Sequence, residues 1–267
     1  MNTSTELGHF STDLPYLAFG SGKPLVYLAG FTMTHTVPQP GAQRRTAARM
    51  VAPFVAAGYQ VYWTNRRPGM PVGATMSDVA AEHAEALRDR FGTPVPVLGH
   101  ATGGSIALQL AIENPEVVSW LVLAGTAHSL GPVARRFHRD LLEAAGRGRS
   151  AMHRAAPALT RNRLLQLLLM VPLWIAGRFD PPPKDHSDMK AMLLAEGAFD
   201  VRGRLGEVRV PTLLLRGARD YLCTPERFHE TADGIPGAQR VEYPRSGHAI
   251  TTKPAFFHDV LAFLEGP

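Results

Sequence analysis

The stretch Val97-Leu98-Gly99-His100-Ala101-Thr102-Gly103-Gly104-Ser105-Ile106-Ala107 passes from a short apolar run through a glycine-flanked turn into a helical pattern. Small residues at 99 and 103 let a strand and the following helix close on each other, so the side chain at 101 projects above the strand end at a helix N-terminus. The backbone N–H of Thr102 then points toward an oxyanion formed at that place. This geometry suits attack on an acyl carbon. Three more segments follow predicted strands in the same way: Leu28-Ala29-Gly30-Phe31-Thr32, Arg216-Gly217-Ala218-Arg219-Asp220 and Arg245-Ser246-Gly247-His248-Ala249. All four fall at the C-terminal ends of strands, where open α/β sheets bind ligands.

Together these segments resemble the α/β-hydrolase superfamily, in its serine esterase, lipase and thioesterase branch. That branch carries Gly-X-Ser-X-Gly at the turn, with His at the first X in many members. Gly99, His100 and Gly103 match, and the nucleophile position is Ala101. The resemblance implies that Asp220 is the acid and His248 the base of a catalytic triad, in the family's chain order. It implies an oxyanion hole from the backbone N–H groups of Phe31 and Thr102, although Ala29 replaces the family's usual His. In a working member, His248 takes a proton from the serine and passes it to the leaving group, while Asp220 holds the tautomer. The implied substrate is a carboxylic ester, lactone or thioester, largely hydrophobic, processed through an acyl-serine. No cofactor and no metal are implied.

Alanine at 101 has no oxygen, and loss of a triad nucleophile costs on the order of a millionfold in rate. Three explanations stand side by side. One is a serine-to-alanine change made to trap a bound ligand, which leaves all else intact and is the favoured expectation. The second is a natural binder of small molecules. The third is a natural enzyme, such as a lyase or cyclase, that uses His248 as a general base without a covalent intermediate. Thr102 is a poor substitute nucleophile, because as the first helical residue it points away from the reacting carbon.

The elements needed to position these residues are legible as alternating apolar runs and helical stretches, the pattern of a mostly parallel sheet with crossover helices. Strands are expected at 25–29, 60–63, 95–98, 120–124, 212–216 and 239–243. Helices are expected at 42–57, from an N-cap at Ser77 to Phe91, at 102–113, 225–233 and 254–264. From about Ser129 to Arg204 the rhythm breaks into helical stretches at 135–145 and 161–175 and a Pro181-Pro182-Pro183 breaker. The expected organisation is an α/β core of residues 1–129 and 205–267 with a helical cap or lid at 130–204, about 75 residues and too long for a plain loop. His128 and Trp174 are candidate substrate-binding residues. His35 is expected in a surface loop, and His100 packed beneath the turn.

Composition narrows the remaining classes. The chain has 267 residues, 45% hydrophobic and 19% charged, as an ordinary folded protein does. Its net charge of +5 comes from scattered basic residues and pairs such as Arg66-Arg67, with no nucleic-acid module. Cys223 is the single cysteine, so no disulfide and no cysteine metal site forms within the chain. Leu164 to Ala176, the most apolar segment, falls short of the roughly 20 residues that span a bilayer. Residues 1–18 lack a charged start followed by an apolar core, and the expected location is the cytoplasm. The expected partner is a small-molecule substrate, without nucleic acid or membrane.

Overall fold

The computed structural model describes residues 4–147, 156, 163–179 and 185–266. It is an α/β structure around one eight-stranded sheet. The strands are β1 (Thr5–His9), β2 (Pro15–Phe19), β3 (Lys23–Leu28), β4 (Tyr59–Thr64), β5 (Val95–His100), β6 (Val118–Ala124), β7 (Thr212–Gly217) and β8 (Gln239–Tyr243). Their order across the sheet is β1-β2-β4-β3-β5-β6-β7-β8. β1 and β2 pair antiparallel, β2 joins β4 antiparallel, and every pair from β4 through β8 is parallel. The fold is that of an α/β hydrolase, as the sequence motifs imply.

The helices in chain order are α1 (Ala42–Ala56), α2 (Met76–Phe91), α3 (Thr102–Glu113), α4 (Pro132–Ala145), α5 (Arg163–Phe179), α6 (Ser187–Ala198), α7 (Pro225–Gly234) and α8 (Pro254–Glu265). Parallel strands are buried on both faces and therefore read as continuous apolar runs. Alternate residues of those runs feed two cores. Val97, Leu121 and Leu214 face α2, α3 and α7 through Leu87, Ile106 and Phe228. Leu98, Val122 and Leu215 face α1 and α8 through Phe54, Phe256 and Val260. Each fully buried Leu or Val side chain contributes about 1.5–3 kcal/mol.

Three local outcomes differ from the sequence reading. β1 and β2 were not expected; β1 is an exposed edge strand with the polar sequence TELGH, which shows no apolar run. The N-cap of α2 is Thr75 rather than Ser77, because Asp78 three residues later completes a capping box with Thr75. Ser77 lies inside the helix, and its hydroxyl donates to Glu113 at 2.7 Å. α6 is a buried helix in a stretch where only irregular helical character was expected.

Between β6 and β7, the described residues form α4, α5 and α6. Leu141 and Ala145 of α4 pack against Met189 and Leu193 of α6, and Phe31 and Met33 lie beneath them. On α5, Leu164, Leu167, Leu168 and Val171 are exposed. The Pro181–Pro183 breaker lies outside the described residues.

Candidate active site

The backbone at position 101 is strained. Ala101 is the N-cap of α3 with φ 50° and ψ −118°, and it is one of only two described non-glycine residues with positive φ. For a residue with a Cβ this conformation costs on the order of 1–3 kcal/mol and persists only where the surroundings enforce it. The surroundings do. The Ala101 N–H donates to the Ala124 carbonyl of β6 at 2.9 Å, and the Ala101 carbonyl accepts from Gly104 at 2.8 Å. A Cβ at Gly103 would collide with the Leu28 carbonyl oxygen, and one at Gly99 would collide with Gly103. β5, α3 and the end of β3 can therefore meet only through glycine.

His248 and Asp220 come together beside it. The His248 Nδ1 and an Asp220 carboxylate oxygen are 2.7 Å apart. Asp220 is buried, and its other oxygen accepts the N–H groups of Leu222 (2.9 Å) and Cys223 (3.0 Å). A carboxylate anchored by backbone donors accepts the Nδ1–H, which leaves Nε2 of His248 as the ring's basic atom. The two supporting turns are stitched together: the Arg219 N–H donates to Ser246 at 2.9 Å and the Ala218 N–H to Tyr243 at 3.0 Å. Cys223 is buried, and burial raises its thiol pKa, so it stays protonated.

Ala101, Thr102, Phe31 and His248 line one cavity of about 930 Å³. Its walls are mostly apolar, with Tyr27, Met33, Trp63, Phe137 and Leu141 among them. Thr102 is the first residue of α3, so its N–H belongs to the turn of helical donors that has no intrahelical acceptor. Its hydroxyl is engaged elsewhere, donating to Glu196 at 2.9 Å. Phe31 sits in the loop after β3, which is braced from behind. Buried Arg66 reaches the Thr32 hydroxyl at 2.9 Å, and burial lowers its guanidinium pKa to about 10.

Other histidines fall in unexpected places. His100, the last residue of β5, directly precedes the turn at 101. It lines the cavity, with its ring centroid 5.2 Å from that of His248, and burial followed by the His248 charge lowers its pKa to about 4. His35 is buried rather than in a surface loop, with Nδ1 3.0 Å from the Arg67 carbonyl. His128 is fully buried outside the cavity lining, with Nε2 3.0 Å from Glu230 and Nδ1 3.0 Å from Ser129. Its ring is drawn away from the cavity by those partners. Trp174 is half-exposed on α5 and is not among the described lining residues.

Three polar residues near the site carry no motif and were not singled out in the sequence: Arg66, His138 and Glu196. The signal for Glu196 was weak, a single acid in the otherwise apolar run Ala191–Gly197. Among the described residues, no group of three metal-binding side chains occurs. No described helix is long and apolar enough to cross a membrane.

The model of the family described as serine aminopeptidase, S33, matches residues 70–255, and the chain belongs to that family of α/β hydrolases. It is 32% identical over 221 residues to a protein of Klebsiella pneumoniae (strain 342) named "Putative carbamate hydrolase RutD", covering 78% of this chain and 79% of that one. Among solved structures it is similar to the "Putative non-heme bromoperoxidase BpoC" of Mycobacterium tuberculosis H37Rv, with TM-score 0.75 and 25% identity over 96% of this chain and 97% of the other. It shares its fold with the enol-lactonase of Burkholderia xenovorans LB400, with TM-score 0.69 and 21% identity over 97% and 100% of the two chains.

Proposed function

We propose that this hydrolase cleaves small carboxylic-acid derivatives, esters, lactones or carbamates, at the cavity shared by Ala101 and His248. The observation that carries the reading is the 2.7 Å contact between His248 and Asp220, opening onto the cavity that position 101 also lines. Residues 130–204 act as a cap over it, the α4 and α6 part closing the roof. The N–H groups of Phe31 and Thr102 hold the developing oxyanion. The carbamate-hydrolase name of the relatives supports a carbamate as one member of the substrate class.

With a methyl group at 101, no acyl-enzyme forms on this chain. The attack open to it is by water. His248 Nε2 takes a proton from the water as its oxygen bonds to the carbonyl carbon, Asp220 stabilises the imidazolium, and the tetrahedral oxyanion rests on the two N–H groups. On collapse, His248 returns the proton to the leaving oxygen or nitrogen.

A second reading has its own observation. The strained φ of 50° at Ala101 is the backbone of a nucleophile position, so the parent mechanism can be an acyl-serine one that this alanine disables. One paired experiment separates the two. The chain and its Ala101→Ser variant are given aryl esters, aryl carbamates and a fluorophosphonate probe, with turnover in ¹⁸O-water and intact mass as readouts. The water route predicts slow turnover by the unmodified chain with no adduct, abolished by His248→Ala. An inert unmodified chain beside a labelled, active serine variant selects the acyl-serine reading. Two inert, folded proteins overturn both and leave a small-molecule binder.

A further inference from the structure

The cavity has a second polar pole, opposite in character to its apolar walls. Glu196 of α6 is the one acidic side chain among its described lining residues, and no Lys or Arg is among them. Glu196 is buried to 2% exposure. One carboxyl oxygen accepts the Thr102 hydroxyl at 2.9 Å, and the other accepts the Ser105 hydroxyl at 3.1 Å. His138 of α4, also lining the cavity, has Nε2 3.7 Å from the same carboxyl. The pole is thus assembled from α4 and α6 on one side and from the start of α3 on the other.

A carboxylate offers about four acceptor sites, and two hydroxyls fill only part of them. Hydroxyl partners supply no countercharge. Burial lowers the pKa of His138 to about 4, so its imidazole is neutral near pH 7 and supplies none either. Arg66 and His248 are close enough to act electrostatically, but among the described residues neither forms an ion pair with the carboxyl, and Arg66 is outside the lining. Burial accordingly holds the Glu196 carboxyl above the usual carboxylate range, against the pull of its hydroxyl partners. A buried carboxyl without a matched cation is costly, and a ligand that brings an N–H or ammonium group relieves that cost. A ligand that brings a second carboxylate aggravates it.

We propose that Glu196 is the nitrogen-recognition point of the cavity, accepting a hydrogen bond from an amide, carbamate or ammonium N–H, so that the site takes nitrogen-bearing acyl compounds and turns away anionic ones. This deepens the substrate reading above and rests on the cavity being the substrate site. It does not depend on which group attacks the carbonyl.

The test is direct binding, measured by calorimetry and ligand-observed NMR at about pH 7.5, with four probes of equal chain length: hexylamine, hexanamide, 1-hexanol and hexanoate. The unmodified chain is expected to bind hexylamine and hexanamide at least about tenfold more tightly than hexanoate, a difference of about 1.4 kcal/mol. Glu196→Gln is expected to weaken hexylamine about tenfold or more and to leave 1-hexanol unchanged. Equal or tighter binding of hexanoate overturns the proposal, as does failure of the unmodified chain to bind any probe, or an unchanged hexylamine affinity in a folded Glu196→Gln protein. If that variant does not fold, the ranking on the unmodified chain still decides. Because binding is read rather than turnover, with NMR confirming that hexanamide stays intact, failure here is distinct from failure of the hydrolysis assay.

Discussion

Gly125 and His248 are in contact across the site: a Cβ on Gly125 would lie 3.3 Å from the His248 ring and 3.4 Å from the Asp220 carboxylate. Gly125 follows β6, has φ +61°, and donates its N–H to Leu215 of β7 at 2.8 Å. It occupies the floor on which the imidazole and carboxylate meet. Gly125→Ala is expected to destabilise the fold by roughly 1–2 kcal/mol through its left-handed backbone. It is also expected to lower kcat/KM about tenfold or more, because a displaced ring loses its aim. Thermal unfolding and steady-state kinetics on an activated ester or carbamate check the two effects; unchanged kcat/KM would mean that the ring does not act in turnover.

Asp220→Asn keeps the shape of the side chain and removes its charge. The Asn amide can turn an N–H toward His248 Nδ1, which moves the ring proton to Nε2 and takes away the base. Turnover is expected to fall by a factor on the order of a thousand or more, with the fold retained because the Leu222 and Cys223 N–H groups can still bond the remaining oxygen. A variant with ordinary turnover would remove Asp220 from the mechanism. In the Ala101→Ser background, the same substitution is expected to slow fluorophosphonate labelling.

Four buried histidines make stability sensitive to acid. Burial lowers the pKa values of His35, His83, His100 and His138 from 6.5 to about 4. The unfolded chain therefore binds more protons than the folded one between those pH values, and stability falls as pH drops from about 6.5 toward 4. Above pH 6.5 these groups contribute no slope. The melting temperature is expected to be level near neutrality and to decline steeply below pH 6, with the linkage slope approaching four protons. His83→Gln, on α2 away from the cavity, is expected to lower that slope by about one. A melting temperature unchanged between pH 7 and 5 would contradict this account.

Much of the architecture was legible in the chain itself. Apolar runs of four or five residues marked β3 to β7, since a parallel strand buried on both faces has no polar alternation to hide it; β8, with the polar sequence QRVEY, was placed by its position in the alternation. Gly99 and Gly103 announced the turn at 101, because a strand and helix that approach so closely leave no room for a Cβ. Asp220 and His248 were legible because each follows a strand directly and sits within a short local pattern. The edge strand β1 was not, having no buried face. Nor was the Thr75 cap, which depends on which of two nearby hydroxyls meets Asp78.

What the tertiary structure decided was the company each side chain keeps. His35, His100 and His128 look alike in sequence. Folding buries the first on the Arg67 carbonyl, sets the second against His248 on the cavity wall, and turns the third away toward Glu230. Glu196 lies 94 residues from Thr102, and only the packing of α6 over the strand ends brings its carboxyl to that hydroxyl. Local spacing determines a turn because its partners are neighbours along the chain. The lining of a cavity is set by long-range packing of separate helices, which no short run of residues records.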